Sequence, residues 1–439
     1  MFSFRLVFSA VAFVMTVYLL RHYVFTAIVL IYGRSSKNVL RSGWEPSVSV
    51  VVPAHNEEFV IGRLLERLVN VTYPKTKFQV IAVDDGSTDR TGEIIDDFAS
   101  KYAFVKAIHR HSATGKAAAL NVALKYVTGE IIHFFDADYI PENGFVEKSN
   151  EGFYDPDVGL VQTKIKVYNG DKIVSKTVSL ERFGGYRVDQ LARDILGLVP
   201  QFGGTAGAVR RNVIDLVGGF DEGILAEDTD FTFRVRLAGF KVRYLLRVES
   251  FEEAVDSLRG YWRQRKRWSR GHMQCAFKHV GTLIKNNDLG LREKLDCFLL
   301  LNIYFVPLLV GFGWLLAVFS FVFGYGLWAG NAALTVTLMY LFAGNVAPLS
   351  EIVVGAVLER RFRLCVYVPV VLMTFVLNVF ICINSLFDIL LAKLCGKKLK
   401  WGKLSTKEVV KFIFVYLKYC DISTVELYMK NRLWFLCLV

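Results

Sequence analysis

"EIIHFFDAD" (residues 130–138) is the stretch on which the reading of this chain turns. An apolar run, Ile131 to Phe135, ends in two carboxylates one residue apart. On a strand, neighbours i and i+2 point to the same side, so Asp136 and Asp138 are expected side by side beyond the strand's end. Crowding two exposed carboxylates is costly unless something cationic neutralises them. A hard divalent ion does so, and Mg2+ in particular takes one or two carboxylates together with phosphate oxygens. A D-x-D alone is common in proteins; its place at a strand end gives it weight.

Around this stretch, strand-like and helix-like runs alternate. "SVSVVVPA" (47–54), "FQVIAVDD" (78–85), "FVKAI" (104–108) and "VGLVQTKIKV" (158–167) read as strands, with helices expected at about 57–69, 88–100 and 114–128. Such alternation argues for an α/β fold with a parallel sheet covered on both faces. Ligands of such folds bind beyond the C-terminal ends of the strands. The candidate residues sit there: "PAHNEE" (53–58), "DDGSTD" (84–89) and the D-x-D.

Each of these has an ordinary structural reading beside the chemical one. Asp84 and Asp85 end a strand and Gly86 permits a tight turn, so "DDGSTD" is either a plain strand–turn–helix corner or a carboxylate site for the imide N–H of uracil. Asn56 caps a helix or helps wrap a nucleotide. Lys116 in "TGKAAALN" (114–121) opens a helix, where an anion is favoured. "FGGTAG" (202–207) suits the close approach of a flat ligand. In "AEDTDFTFRVRLAGF" (226–240) the acids Glu227, Asp228 and Asp230 start a helix; Asp228 either serves the dipole or acts as a general base. In "RGYWRQRKRWSRG" (259–271), Gln264, Arg267 and Trp268 share one helix face, suited to diphosphate and a sugar ring. A cationic interfacial helix anchored by Trp reads equally well. No P-loop and no G-x-G-x-x-G follows the first strand, which disfavours NTPase and dinucleotide chemistry.

The 439 residues are 53% hydrophobic, with a mean hydropathy of +0.36 and a net charge of +12. The excess of Lys and Arg gathers beside apolar spans, at 33–43, 359–363 and 393–403, which is how a membrane chain marks its cytoplasmic side. No nucleic-acid partner is expected. All seven Cys lie at or beyond Cys275, with no zinc or disulfide spacing. The expected division is an N-terminal anchor at 1–33, a cytosolic domain at 45–250, interfacial helices at 251–295, transmembrane helices at 296–393 and a cytosolic or interfacial tail at 394–439. The anchor reads as one span, or as two short ones broken at Arg21–His22. Candidate C-terminal spans are 297–322, 332–358 and 364–392. The last lies between two cationic clusters, so it is a bent hairpin, a partly interfacial segment or a break of the charge rule.

In this order (DDG, DAD, E-D, Q-x-x-R-W, between an anchor and C-terminal spans) the motifs resemble those of the family 2 membrane glycosyltransferases, such as cellulose, chitin, hyaluronan and poly-N-acetylglucosamine synthases. The resemblance covers roughly residues 45–275. It implies a GT-A fold, Rossmann-like and cytosolic, using a nucleoside-diphosphate sugar, usually UDP-linked, with Mg2+ or Mn2+. By that resemblance Pro53, Ala54, Asn56, Glu57, Asp84, Asp85, Lys116, Asp136, Gln264, Arg265 and Arg267 bind the nucleotide sugar. Asp136 and Asp138 hold the metal, and Asp228 is the base. Gly203, Gly204, Thr205, Glu227 and Trp268 line the acceptor site. The acid motif reads Ala226-Glu227-Asp228 where cellulose synthases have Thr-Glu-Asp, which bears on sugar identity. The implied activity is inverting transfer to a growing polysaccharide coupled to secretion, by a multi-pass plasma-membrane protein touching membrane lipids. The alternatives are single transfer to a membrane lipid and an inactive nucleotide-sugar-binding protein.

Overall fold

The computed structural model describes residues 2–33, 44–322 and 346–394. The cationic segment 34–43, most of the span expected at 332–358 and the tail beyond Leu394 lie outside the described residues. Helix α1 (Phe2–Tyr32) leads into β1 (Val48–Ala54), α2 (Ile61–Val69), β2 (Phe78–Asp84), α3 (Thr91–Lys101), β3 (Val105–His109), α4 (Lys116–Leu124) and β4 (Ile131–Phe134). Next come β5 (Ile140–Pro141), α5 (Phe145–Asn150), β6 (Val158–Val167) and α6 (Ile173–Arg182). A π-helical stretch, Phe183–Gln190, joins α6 to α7 (Leu191–Ile195). β7 (Gly207–Arg210), α8 (Arg211–Val217), α9 (Glu227–Leu237), β8 (Lys241–Glu252) and α10 (Leu258–Lys285) complete the α/β part. Then follow α11 (Leu291–Leu301), α12 (Val306–Val322), α13 (Val346–Leu358) and α14 (Val368–Leu394).

One eight-stranded sheet runs β3-β2-β1-β4-β7-β6-β8-β5. Its first four strands are parallel, as alternation of strand and helix requires. The sheet as a whole is mixed, which corrects the expectation of a parallel one: β7 runs antiparallel to both β4 and β6, and β5 antiparallel to β8. The run of β7 lies hidden behind the glycines of "FGGTAG", and it becomes a strand by pairing between β4 and β6, not by its own pattern. Both faces are covered. Val50, Val52, Val80 and Ala82 enter a core shared with α2, while Val51, Ile81 and Val83 enter another shared with α4. Period-two alternation between two buried faces is why β1 and β2 read as nearly continuous apolar runs.

Register brings the loops together. Ala54 lies opposite Asp84, so "PAHNEE" and "DDGSTD" leave the sheet at one rim. β4 stops at Phe134, and Asp136 and Asp138 lie in the loop beyond it, not on the strand. The i, i+2 argument therefore does not place them; the loop does.

Among the described residues two helices are long and apolar enough to cross a membrane, Ser9–Tyr32 within α1 and Phe362–Leu394, and the pair Leu291–Leu301 and Ile303–Leu316, bent by 48°, makes a third if read as one span. α1 runs unbroken through Arg21 and His22 instead of splitting there. Arg21 reaches Asp189 at 2.5 Å and Asp296 at 3.2 Å, and His22 reaches Glu351 at 2.9 Å. α14 is likewise one helix, not a hairpin; Pro369 lies in its first turn, where a missing N–H costs nothing. Its polar residues turn toward α10, with Asp388 2.8 Å from Lys266 and Asn378 donating to the Tyr261 hydroxyl at 3.3 Å.

Candidate active site

The rim is stitched by its own loops. Asn56, at φ +57°, does not cap α2; its Oδ1 accepts from the Thr88 N–H at 2.8 Å and its N–H donates to Ser87 Oγ at 3.0 Å. The Glu57 N–H donates to Thr91 Oγ1 at 2.7 Å. Pro53 and Ala54 form the end of β1 beneath this loop. The paired aspartates divide their tasks. Asp84 accepts from the Ser87 N–H at 2.9 Å and faces His109 Nδ1 at 3.2 Å. Asp85 meets Arg110 at 2.6 Å and accepts from the Gly115 N–H at 2.9 Å, so it fixes the entry into α4. Gly86 adopts φ +68°, and a Cβ there would come within 2.8 Å of the Ala113 nitrogen, so the turn of "DDG" needs glycine.

From α4, Lys116 extends to the centre of the site. Its Nζ lies 2.5 Å from Asp136 and 3.7 Å from Glu227, and donates to the Gly204 carbonyl at 2.9 Å. Burial works against its charge, yet Asp136 and then Glu227 hold its pKa above the usual lysine value. A Cβ on Gly204, which adopts φ +78°, would sit 3.2 Å from both Lys116 Nζ and Asp228 Oδ2. The "FGGTAG" loop is thus threaded between the lysine and the acids at the start of α9. Buried Gln162 on β6 holds it there, accepting from the Gly203 N–H at 2.8 Å and donating to the Ala206 carbonyl at 3.2 Å. Thr205 Oγ1 accepts from the Asp136 N–H at 2.9 Å, tying the same loop to D-x-D.

The acids are crowded. Asp138 is pushed up to about 8 by burial, then by Asp136, Glu57 and Glu252. Glu57 is pushed up to about 7 by burial, then by Asp136 and Asp89. Burial also raises Glu227 and Asp228, against the pull of Lys116. Asp228 accepts from the Thr229 N–H at 2.7 Å, while Asp230 turns away into ion pairs with Lys278 and Arg234 and holds α9 in place. Among the described residues no three acidic, His or Cys groups converge as a ready cage for a metal. The donors nevertheless fit a divalent ion: two hard carboxylates in one loop, crowded and with Asp138 buried, are relieved by a cation and leave its remaining positions to phosphate and water.

α10 brings the Q-x-x-R-W segment to the opposite side. Arg267 acts electrostatically on both Glu227 and Asp228. Gln264 is half-buried and lies 3.4 Å from Arg265. Arg265, expected on the nucleotide sugar, is committed elsewhere: it is buried, ion-paired with Glu181 and set over the Tyr261 and Trp268 rings. Trp268 carries a second guanidinium, that of Arg182, 5.3 Å from its ring centre. Arg110, Gln162, Arg182 and Tyr186, whose hydroxyl lies 2.9 Å from the position a Gly203 Cβ would take, were not visible in the sequence. Gln162 sits within a recognised strand, but a buried polar residue there carries no spacing signal. Arg182 and Tyr186 flank the junction of α6 with the π-helical stretch, which no periodicity announces.

The sequence pattern of "Glycosyl transferase family 2" matches residues 49–217. Over 300 residues the chain is 33% identical to "Probable glycosyltransferase YdaM" of Bacillus subtilis (strain 168), covering 67% of each protein. It is 32% identical over 265 residues to "Beta-monoglucosyldiacylglycerol synthase" of Nostoc sp. (strain PCC 7120 / SAG 25.82 / UTEX 2576), covering 60% of this chain and 56% of that one. With "Poly-beta-1,6-N-acetyl-D-glucosamine synthase" of Staphylococcus epidermidis it shares 24% over 245 residues, 56% of this chain and 59% of the relative. The chain thus spans between about half and two thirds of the length of these relatives. A mannosyltransferase from Pyrobaculum calidifontis, solved with GDP-Man and Mn2+, has the same fold at a TM-score of 0.54 and 22% identity, over 80% of this chain and 98% of that one. The mixed sheet is accordingly of GT-A type, and the chain is a glycosyltransferase that belongs to glycosyl transferase family 2.

Proposed function

We propose that the protein transfers a sugar from a UDP-sugar to a hydroxyl acceptor held at a membrane, by a single inverting displacement, with the catalytic domain on the cytosolic side. The observation carrying this reading is the meeting of three groups at Gly204: Asp228, Lys116 and, through Lys116, Asp136. Asp228 takes the proton of the acceptor hydroxyl as its oxygen forms the bond to the anomeric carbon. The bond from that carbon to the diphosphate breaks on the opposite side, and the nucleoside diphosphate leaves with the electron pair. A carboxylate whose pKa is raised by burial is a better base for this step than an exposed one. Lys116 and Arg267 supply positive charge where the leaving group becomes more negative. Asp136 and Asp138 would hold Mg2+ or Mn2+, which supplies further charge neutralisation for the diphosphate. The Asp84–Asp85 corner and the Asn56–Glu57 loop are assigned to the nucleotide end of the site, and Gln264 of α10 to the same ligand from across it.

Two acceptors fit. Transfer to the end of a growing polysaccharide is the reading of the Q-x-x-R-W segment, in a protein crossing the membrane more than once. A diacylglycerol-type lipid acceptor is favoured by the 31–32% identity to the glucosyldiacylglycerol synthases. Membranes containing the protein, incubated with a panel of UDP-sugars and Mn2+ or Mg2+, separate them. UDP release with a single glycolipid in the organic phase supports the lipid; a high-mass product that stays at the origin supports the polymer. Asp228→Asn is expected to keep nucleotide binding and lose transfer by roughly 10^2–10^4-fold. Wild-type turnover by that variant removes the base, and no UDP release with any donor removes the reading.

A further inference from the structure

The ion pair between Arg182 and Glu252 lies inside the site and belongs to none of the motifs above. Arg182 ends α6 and Glu252 ends β8. The guanidinium grips both carboxylate oxygens, Nε to Oε1 at 2.5 Å and Nη2 to Oε2 at 2.8 Å. Both side chains are largely hidden, 18% and 7% exposed. Each partner also reaches a different half of the site. Glu252 Oε2 accepts from the Tyr139 hydroxyl at 2.7 Å, and Tyr139 directly follows Asp138. The Tyr139 N–H in turn donates to the Asp136 carbonyl at 3.2 Å, so this tyrosine is part of the D-x-D turn. On the other side the Arg182 guanidinium lies 5.3 Å from the Trp268 ring centre and 5.7 Å from that of Tyr186. Arg265 lies 4.2 Å from the same indole and is itself held by Glu181.

A buried ion pair is weak support for stability, because desolvation offsets most of its attraction; its attested use is to fix one arrangement over others. A bidentate guanidinium–carboxylate pair sets angle as well as distance. We propose that Arg182 and Glu252 are positioning residues: they set the indole of Trp268, and with it the acceptor, at a fixed distance from the D-x-D loop that carries the donor. The inference rests on the proposed assignment of Trp268 to the acceptor side. A displacement of about 1 Å at a reacting pair costs about 10^2-fold in rate, so loosening this pair is felt in transfer more than in donor binding.

The test compares wild type with Arg182→Lys, Arg182→Ala and Glu252→Gln in detergent, with the acceptor that the wild type uses. Arg182→Ala is expected to raise the acceptor KM and lower kcat/KM for the acceptor by roughly 10–100-fold, while the UDP-sugar KM changes by less than about 3-fold. Arg182→Lys keeps the charge but loses the fork, and is expected to recover little. A second readout needs no turnover: addition of UDP and Mn2+ is expected to change tryptophan emission in the wild type, less in Arg182→Ala and not in Trp268→Phe. Equal loss of donor and acceptor parameters means a general structural role and overturns the inference, as do unchanged kinetics in Arg182→Ala. If the wild type releases no UDP with any donor, the proposed function fails by itself. The emission experiment then decides alone, and an equal response in wild type and Arg182→Ala overturns the pairing.

Discussion

Gly204 is the residue on which the centre of the site depends. At φ +78° an alanine costs about 1–2 kcal/mol of backbone strain, and its methyl group would press on both Lys116 and Asp228 at 3.2 Å. Gly204→Ala is therefore expected to keep the far-ultraviolet circular dichroism of the wild type and lose at least 10-fold in kcat, and wild-type kcat would remove the crowding argument. His109 makes a separate prediction. Hydrogen bonding to Asp96, and then to Asp84 against partial desolvation, raises its pKa above the ordinary histidine value. A raised histidine pKa means that the folded state binds the proton more tightly than the unfolded chain. Its contribution is thus fully present below about 6.5 and fades as pH rises through the higher folded value. The melting temperature of wild type minus that of His109→Gln is expected to be positive at pH 5.5 and to vanish by pH 8.5; a difference that grows with pH contradicts the assignment. At this scale the sequence was informative where chemistry has a signature. Asp136, Asp138, Lys116, Glu227 and Asp228 were each picked out by neighbours in sequence, and the fold gathers all but Asp138 around one loop, with Asp138 feeling Asp136, Glu57 and Glu252 instead. Arg110 and Gln162 were not, because their roles depend on partners 25 and 41 residues away.

Among elements, α10 has the most to hold in place, since one helix carries Trp268, Arg267 and the contacts to α14. Asp388 of α14 faces Lys266 at 2.8 Å and Arg270 at 3.6 Å, with all three side chains mostly covered. Asp388→Ala leaves two cations without that partner, and a loss of about 1–3 kcal/mol is expected. It is read as a lower melting temperature in detergent, with Asp388→Asn in between; an unchanged melting temperature would mean that this ion pair adds nothing to the joining of the two helices. The parallel half of the sheet was legible because β1 and β2 announce themselves as long apolar runs. The antiparallel half was not. β7 is four residues long and β5 two, and strands of that size exist only by virtue of their neighbours. The apolar run outlasts β4, because Phe135 continues it after the ladder has ended; that ring is buried in the core from a loop.

For the molecule as a whole, α1 is more than a tether. Phe25 and Val29 are buried in the core that also holds Val50, Ile61 and Val80 of the catalytic sheet and its helix. Burial of each contributes about 1.5–3 kcal/mol, and Arg21 adds ion pairs to Asp189 and Asp296. A chain starting at residue 44 is expected to unfold at a lower temperature and with less cooperativity than the longer one. Equal melting curves would show that the two parts are independent. Composition made the apolar helices legible, but it could not tell that the apolar N-terminus docks on the enzyme, since the same residues suit lipid and protein alike. The π-helical stretch Phe183–Gln190 connects Arg182 and Tyr186, in the site, with Asp189 and then Arg193, which ion-pairs with Asp189 and Asp296. A π turn accommodates one more residue than an α turn, and each α-helical residue advances the helix by about 100°. The phase of α7 against α6 is therefore set by a residue count: shortening "FGGYRVDQ" by one would rotate everything after it by roughly a quarter turn. Such a chain could satisfy the catalytic cleft or the clasp on the N-terminal helix, but not both.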